Sequence, residues 1–214
     1  MIPAEEALTR LVEGNKRFVA GVRSIDTLAS PAKRDELLNG QEPMAIVLGC
    51  SDSRVPAELV FDQGLGDLFV IRVAGNIVAP SQIESIEFSA EQHGAKLVVV
   101  LGHSNCAAIA ATVEELGKPE QERSQSMRAI LDRIRPALES LYESDLKNQP
   151  EEMLKSAVRA NVRACVDHLC HGSRILEDLT NNHDLLIVGA EYSLETGVVD
   201  FFERIPASMQ SIVD

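Results

Sequence analysis

The chain has 214 residues, 45% hydrophobic and 25% charged, which is enough for one sizeable core. Lys and Arg number 20 against 33 Asp and Glu, and the formal net charge of −13 opposes binding to nucleic acid or an anionic membrane. A run of about 18 apolar residues, as a membrane span needs, is missing. The start, Met1-Ile2-Pro3-Ala4-Glu5-Glu6, lacks the basic and apolar regions of a signal peptide, so the cytoplasm is the expected compartment. In such a chain Cys50, Cys106, Cys165 and Cys170 are expected as ligands or nucleophiles before disulfides.

In chain order, residues 4–20 have helical periodicity, with Ala7, Leu8, Leu11, Val12 and Phe18 roughly on one face. This helix precedes every strand and is expected to pack on a partner subunit. Residues 21–30 read as loop and 31–39 as a short helix stopped by Gly40. Residues 44–49 are continuously apolar, the pattern of a strand covered on both faces. A short helix or turn over 56–63 follows, then a strand over 68–73 that ends at Gly75-Asn76. Ser81 is the expected N-cap of a helix over 82–93, with Glu84 as its capping-box partner. The third strand is 96–101, and Ser104 or Asn105 is expected to cap the Ala-rich helix that ends near Gly117. A polar stretch, 118–125, leads to helices over 126–145 and 151–171. Residues 185–190 read as a fourth buried strand, and 197–202 as a fifth, antiparallel to it across the turn at Glu195-Thr196-Gly197. No linker or repeat divides the chain, so residues 1–214 are expected as a single α/β domain. Strands alternating with helices predict a mostly parallel sheet, with ligands beyond the carboxyl ends of its strands.

Two of those ends carry chemistry. Cys50-Ser51-Asp52-Ser53-Arg54 follows the first strand, and His103-Ser104-Asn105-Cys106 follows the third. Two thiolates and an imidazole make an open three-ligand zinc site of the catalytic kind. Two thiolates neutralise the ion and acidify bound water less than three histidines would. Asp52 lies near enough to Cys50 to accept a proton from the metal's water or to ligate the metal itself. Arg54 can pair with it bidentately, keep it ionised and decide which way it faces. A rival cluster, Cys165, His168, Cys170 and His171, reads as core and surface instead. There Val158, Val162, Cys165 and Leu169 form one apolar stripe. His93 is expected at a helix end and His183 in a polar turn.

The two motifs, with Arg72-Val73-Ala74-Gly75-Asn76 between them and Gly189-Ala190-Glu191-Tyr192 and Glu195-Thr196-Gly197 beyond, closely resemble the β-class carbonic anhydrases over roughly residues 5 to 202. The resemblance, to the plant-like branch in its bacterial type, implies a mostly parallel sheet with an antiparallel edge strand and flanking helices. It implies reversible hydration of CO2 to bicarbonate and a proton, with zinc-bound hydroxide as nucleophile. Cys50, His103 and Cys106 match the family's Zn2+ ligands, and Asp52 and Arg54 its dyad. Gln41 matches a glutamine that binds substrate. Phe69, Ala74 and Phe88 fall where that branch lines its apolar pocket, partly across a dimer. The resemblance also implies a homodimer with the N-terminal helix over the partner, assembled further in some members to a tetramer or larger. Val47 stands where another branch has the tryptophan of an allosteric bicarbonate site, so neither that site nor its inhibition is expected. Ala107 replaces a usual glycine beside the substrate, and Phe88 replaces a frequent tyrosine. Because Ala107 could alter substrate preference, hydrolysis of COS or CS2 on the same zinc scaffold is an alternative. A noncatalytic zinc-stabilised binding protein is another.

Overall fold

The computed structural model of the chain describes residues 2–22, 30–122 and 125–213. Five strands, β1 (Ala45–Gly49), β2 (Leu68–Arg72), β3 (Leu97–His103), β4 (Leu186–Tyr192) and β5 (Val199–Glu203), form one sheet in the order β2-β1-β3-β4-β5. The first four run parallel, and β5 pairs antiparallel with β4. Among the described residues the helices are α1 (Ala4–Val19), α2 (Pro31–Glu36), α3 (Ala57–Val60), α4 (Pro80–Gln92), α5 (Ala107–Leu116), α6 (Arg128–Tyr142), α7 (Pro150–His171), α8 (Arg174–Asn182) and α9 (Gln210–Val213). The fold is therefore the expected mostly parallel sheet with an antiparallel edge strand and flanking helices.

The apolar runs explain the layering. Every residue of β1 and β3 is buried, and alternate side chains enter opposite cores. Val47, Leu97, Val99 and Leu101 share one core with Ala7, Leu8 and Leu11 of α1 and Phe61 beyond α3. Ile46, Leu48, Val98 and Val100 share the other with Ile86 of α4 and Val162, Val166 and Leu169 of α7. A third cluster, at the carboxyl end of the strands, joins Cys50 and Cys106 to Ile109, Ile134, Leu138 and Val158. In this strand order the chain turns outward on either side of β1, and β1 and β3 are the neighbours at the switch point. Their parallel register pairs Gly49 with Leu101. The two motifs thus leave the sheet side by side.

Several expectations shift. Ala79 is the N-cap of α4, Pro80 takes its first turn, and Ser81 lies inside the helix with its hydroxyl on Gln82, so no capping box with Glu84 forms. Cys106 is the N-cap of α5, with no side-chain cap bond, while the Ser104 and Asn105 side chains are bonded to Glu195 instead. Helix α8 was not anticipated; Ser173 caps it through the Leu176 amide. Most of the expected loop at 21–30 and part of the polar stretch at 118–125 lie outside the described residues. Within the chain, α1 lays its apolar face on the sheet.

Candidate metal centre

Cys50 follows β1, His103 is the last residue of β3, and Cys106 caps α5. One ligand atom from each lies within 4.8 Å of the others, and all three residues are buried. Among the described residues this is the one group of its kind; Cys165, His168, Cys170 and His171 do not make another. Cys165 and Cys170 are buried in the apolar core between the sheet and α7, as their stripe predicts for Cys165.

His103 is fully buried, and its Nδ1 lies 2.9 Å from the Ser104 carbonyl. That contact assigns the proton to Nδ1 and leaves the Nε2 lone pair facing the two sulfurs. Nε2 has no hydrogen-bond partner, and Asp52 Oδ2 stands 4.0 Å away. An orphaned buried imidazole nitrogen between two thiols is the donor set of a tetrahedral zinc-type site with a position to spare. The Cys50 sulfur accepts the Asp52 and Gly75 amides at 3.4 Å each. The bond it shares with Cys106 lowers the Cys50 thiol to about 4, and the same bond raises Cys106. Burial opposes charging of His103, but the Cys50 sulfur, the Ser104 carbonyl and the Asp52 carboxylate together raise the imidazole pKa.

Asp52 is held from one side. The Arg54 backbone amide, Nε and Nη2 donate to its two oxygens at 3.0, 2.9 and 2.7 Å. This guanidinium keeps the carboxyl well below the usual carboxylate range. Arg54 Nη2 also reaches the Asn105 carbonyl at 3.4 Å, tying the first motif to the second.

Sequence reasoning missed Arg72. From the end of β2 it donates to the carbonyls of Cys50 and Asp52 at 3.0 and 2.6 Å, and so shapes the loop that carries both. An arginine closing an apolar strand beside Gly75-Asn76 was the available signal. Asn161 of α7 was missed too; it donates to the Gly75 carbonyl at 2.9 Å, fixing the glycine whose amide reaches the Cys50 sulfur.

The remaining expected site residues divide. Ala74 packs against the cluster that holds Cys50 and Cys106, and Ala107 is exposed directly after Cys106. Phe69 pairs with Ile46, four residues before Cys50, so it lies roughly 13 Å back along the strand. There it meets Phe88 and His93 at ring separations of 6.4 and 6.1 Å, and Gln41 Nε2 is 3.4 Å from His93 Nε2. Gln41, Phe69 and Phe88 therefore gather near the amino end of the sheet, away from their own chain's cysteines.

The carbonic anhydrase family model matches residues 45–199. The chain belongs to that family. Carbonic anhydrase 2 of Mycobacterium tuberculosis is 36% identical over 187 residues, 87% of each chain. The β-carbonic anhydrase CcaA superposes with a TM-score of 0.71 at 26% identity, over 94% of each chain. Tetrameric β-carbonic anhydrases from Sordaria macrospora share the fold, with a TM-score of 0.71 at 22% identity over 81% of this chain and 87% of theirs. Membership is thus of the β class, and the cysteine and histidine motifs lie inside the matched span.

Proposed function

We propose that the chain catalyses the reversible hydration of carbon dioxide to bicarbonate and a proton, with zinc held by Cys50, His103 and Cys106. The observation that carries this reading is the meeting of those three buried ligand atoms beside a carboxylate that Arg54 already engages. Zinc, when bound, supplies a Lewis acid strong enough to make water a nucleophile near neutral pH.

The chain's own groups do the rest. Asp52, kept ionised by Arg54, accepts a hydrogen bond from the attacking water and aims the oxygen lone pair at the carbon of CO2. Arg54 draws that carboxylate toward itself, so it serves the water rather than the ligand set. Arg72 holds the backbone on which Asp52 and Cys50 sit. Ala74 and Ala107 border the place where a nonpolar gas arrives, and an apolar border keeps stray water out. With Val47 in β1, we assign no allosteric bicarbonate site.

We assign Gln41, Phe69 and Phe88 to the site of a second copy, which makes the working unit a homodimer. Support comes from their separation from their own Cys50 and from Phe88, a large aromatic 51% exposed beside the edge strand β2. Assembly of dimers into a tetramer or larger, with α1 reaching the partner, extends that reading. No described helix is long and apolar enough to cross a membrane. A reducing cytoplasm suits ligand thiolates and the buried free thiols Cys165 and Cys170.

Stopped-flow hydration of CO2 by zinc-loaded protein tests the reading. We expect turnover that chelation abolishes and added zinc restores. A protein with stoichiometric zinc and no rate above buffer would sink it.

A further inference from the structure

The angle between two of the ligands depends on a short turn. His103 ends β3 and Cys106 begins α5, so only Ser104 and Asn105 join them. Asn105 adopts a left-handed φ of 54°, which an asparagine tolerates better than most residues but not for free. The turn has little packing to define it: Asn105 is exposed, Ser104 is half-buried, and both line a cleft of about 1010 Å³ toward α7. Its definition comes from hydrogen bonds.

Most of those side-chain bonds converge on one carboxylate. Ser104 Oγ donates to Glu195 Oε2 and Asn105 Nδ2 donates to Glu195 Oε1, both at 2.8 Å. Ser193 Oγ adds a third donor at 3.1 Å, and the Leu194 amide donates to Ser104 Oγ at 2.9 Å. In the structure these three bonds use both oxygens of one ionised carboxylate, which can accept all of them at once. The loop that carries Glu195 is itself anchored. Asn15 of α1 donates to the Gly197 carbonyl at 2.9 Å and accepts the Val199 amide at 2.9 Å. The same turn meets the Asp52–Arg54 pair, because the Asn105 carbonyl accepts Arg54 Nη2.

We propose that Glu195 is a positioning residue for the metal centre. With both oxygens on the Ser104–Asn105 turn, it sets the relative placement of His103 and Cys106. Through the Asn105 carbonyl it also steadies the arginine that holds Asp52. It touches neither ion nor substrate. The inference rests on the zinc-site reading above.

The test measures zinc release from the full chain to a chromogenic chelator, with visible spectra of the cobalt(II)-substituted protein beside it. Glu195→Ala loses both arms of the clamp, and release about 10- to 100-fold faster is expected. The cobalt d–d bands should shift, which a loss of global stability alone would not cause. Glu195→Gln keeps the shape but loses the charge and one acceptor oxygen, so one charge-assisted arm weakens and an intermediate release rate is expected. Asp200→Asn, which removes a carboxylate from the same cleft that pairs with Arg159 and not with the turn, should release zinc as the wild type does. If Glu195→Ala does not fold, the Gln variant decides alone, and wild-type release from it overturns the proposal. So does an equal effect of Asp200→Asn. A wild-type chain that takes up neither zinc nor cobalt would overturn the metal reading as a whole, whereas unchanged release from a zinc-loaded Glu195 variant overturns this inference and leaves that reading standing.

Discussion

Asp52 accepts three hydrogen bonds from Arg54 and lies 4.0 Å from the orphaned His103 nitrogen. Its amide counterpart would keep the size but could not stay an acceptor on both atoms. Asp52→Asn should therefore retain zinc, by metal analysis, and lose about 10²- to 10⁴-fold in CO2 hydration, the range for a lost proton acceptor. Full activity in the zinc-loaded variant would remove Asp52 from the mechanism. A second residue contributes to alkaline stability. Burial pushes the Cys165 thiol from its ordinary 9.0 up to about 12. Between those values the unfolded chain releases a proton that the folded chain keeps, so stability falls as pH rises through that window. The slope is at most about 1.4 kcal/mol per pH unit. Urea melts at pH 8 and pH 10 should show the decline in the wild type, with a smaller one in Cys165→Ala.

The elements show what local sequence can and cannot carry. Strands β1 and β3 were legible because a strand covered on both faces needs an unbroken apolar run, and a short-range pattern records that need. Cys50, His103 and Cys106 were legible because strand ends are where such sheets bind ligands. The cap of α5 was not, since what occupies the Ser104 and Asn105 side chains lies some ninety residues onward at Glu195. Helix α8 escaped because it is only nine residues long and mostly polar, with an apolar face reduced to Leu176 and the partly buried Leu179. Arg72 escaped because it binds backbone carbonyls, which leave no mark on the identity of the residues bound. Helix α1 has a different dependence. A Cβ on Gly14 would collide with the Phe61 carbonyl oxygen. Gly14→Ala should push α1 off the end of α3 and cost about 3 kcal/mol in urea unfolding. An unchanged midpoint would mean that α1 lies elsewhere.

At the scale of the molecule the two edges of the sheet differ. On β5, Arg159 and Arg163 stack over Phe202 at 4.5 and 5.0 Å and pair with Glu191, Asp200 and Glu203. That edge is blunted by charge, which discourages strand addition. On β2, Phe69, Val70 and Ile71 are half-buried, and exposed Phe88 sits edge-on to His93 at 5.4 Å. An unblunted aromatic edge is where a second copy would bury surface. Phe88→Glu should shift sedimentation toward the monomer and lower CO2 turnover while zinc content holds. A variant that stays dimeric with full activity would place the interface away from β2.

The pairing of β1 with β3 also sets an order of events. The strands are neighbours in space but not in sequence, since β2 and α4 are made between them. A growing chain that has emerged as far as Gly94 presents Cys50 without His103 or Cys106. Closing that long-range contact is slow compared with forming any single helix. On the zinc reading proposed above, an ion that needs all three donors would be captured only after the crossover has closed. Stable, three-ligand uptake would then mark the completed sheet, since a fragment ending before β3 has Cys50 but neither His103 nor Cys106.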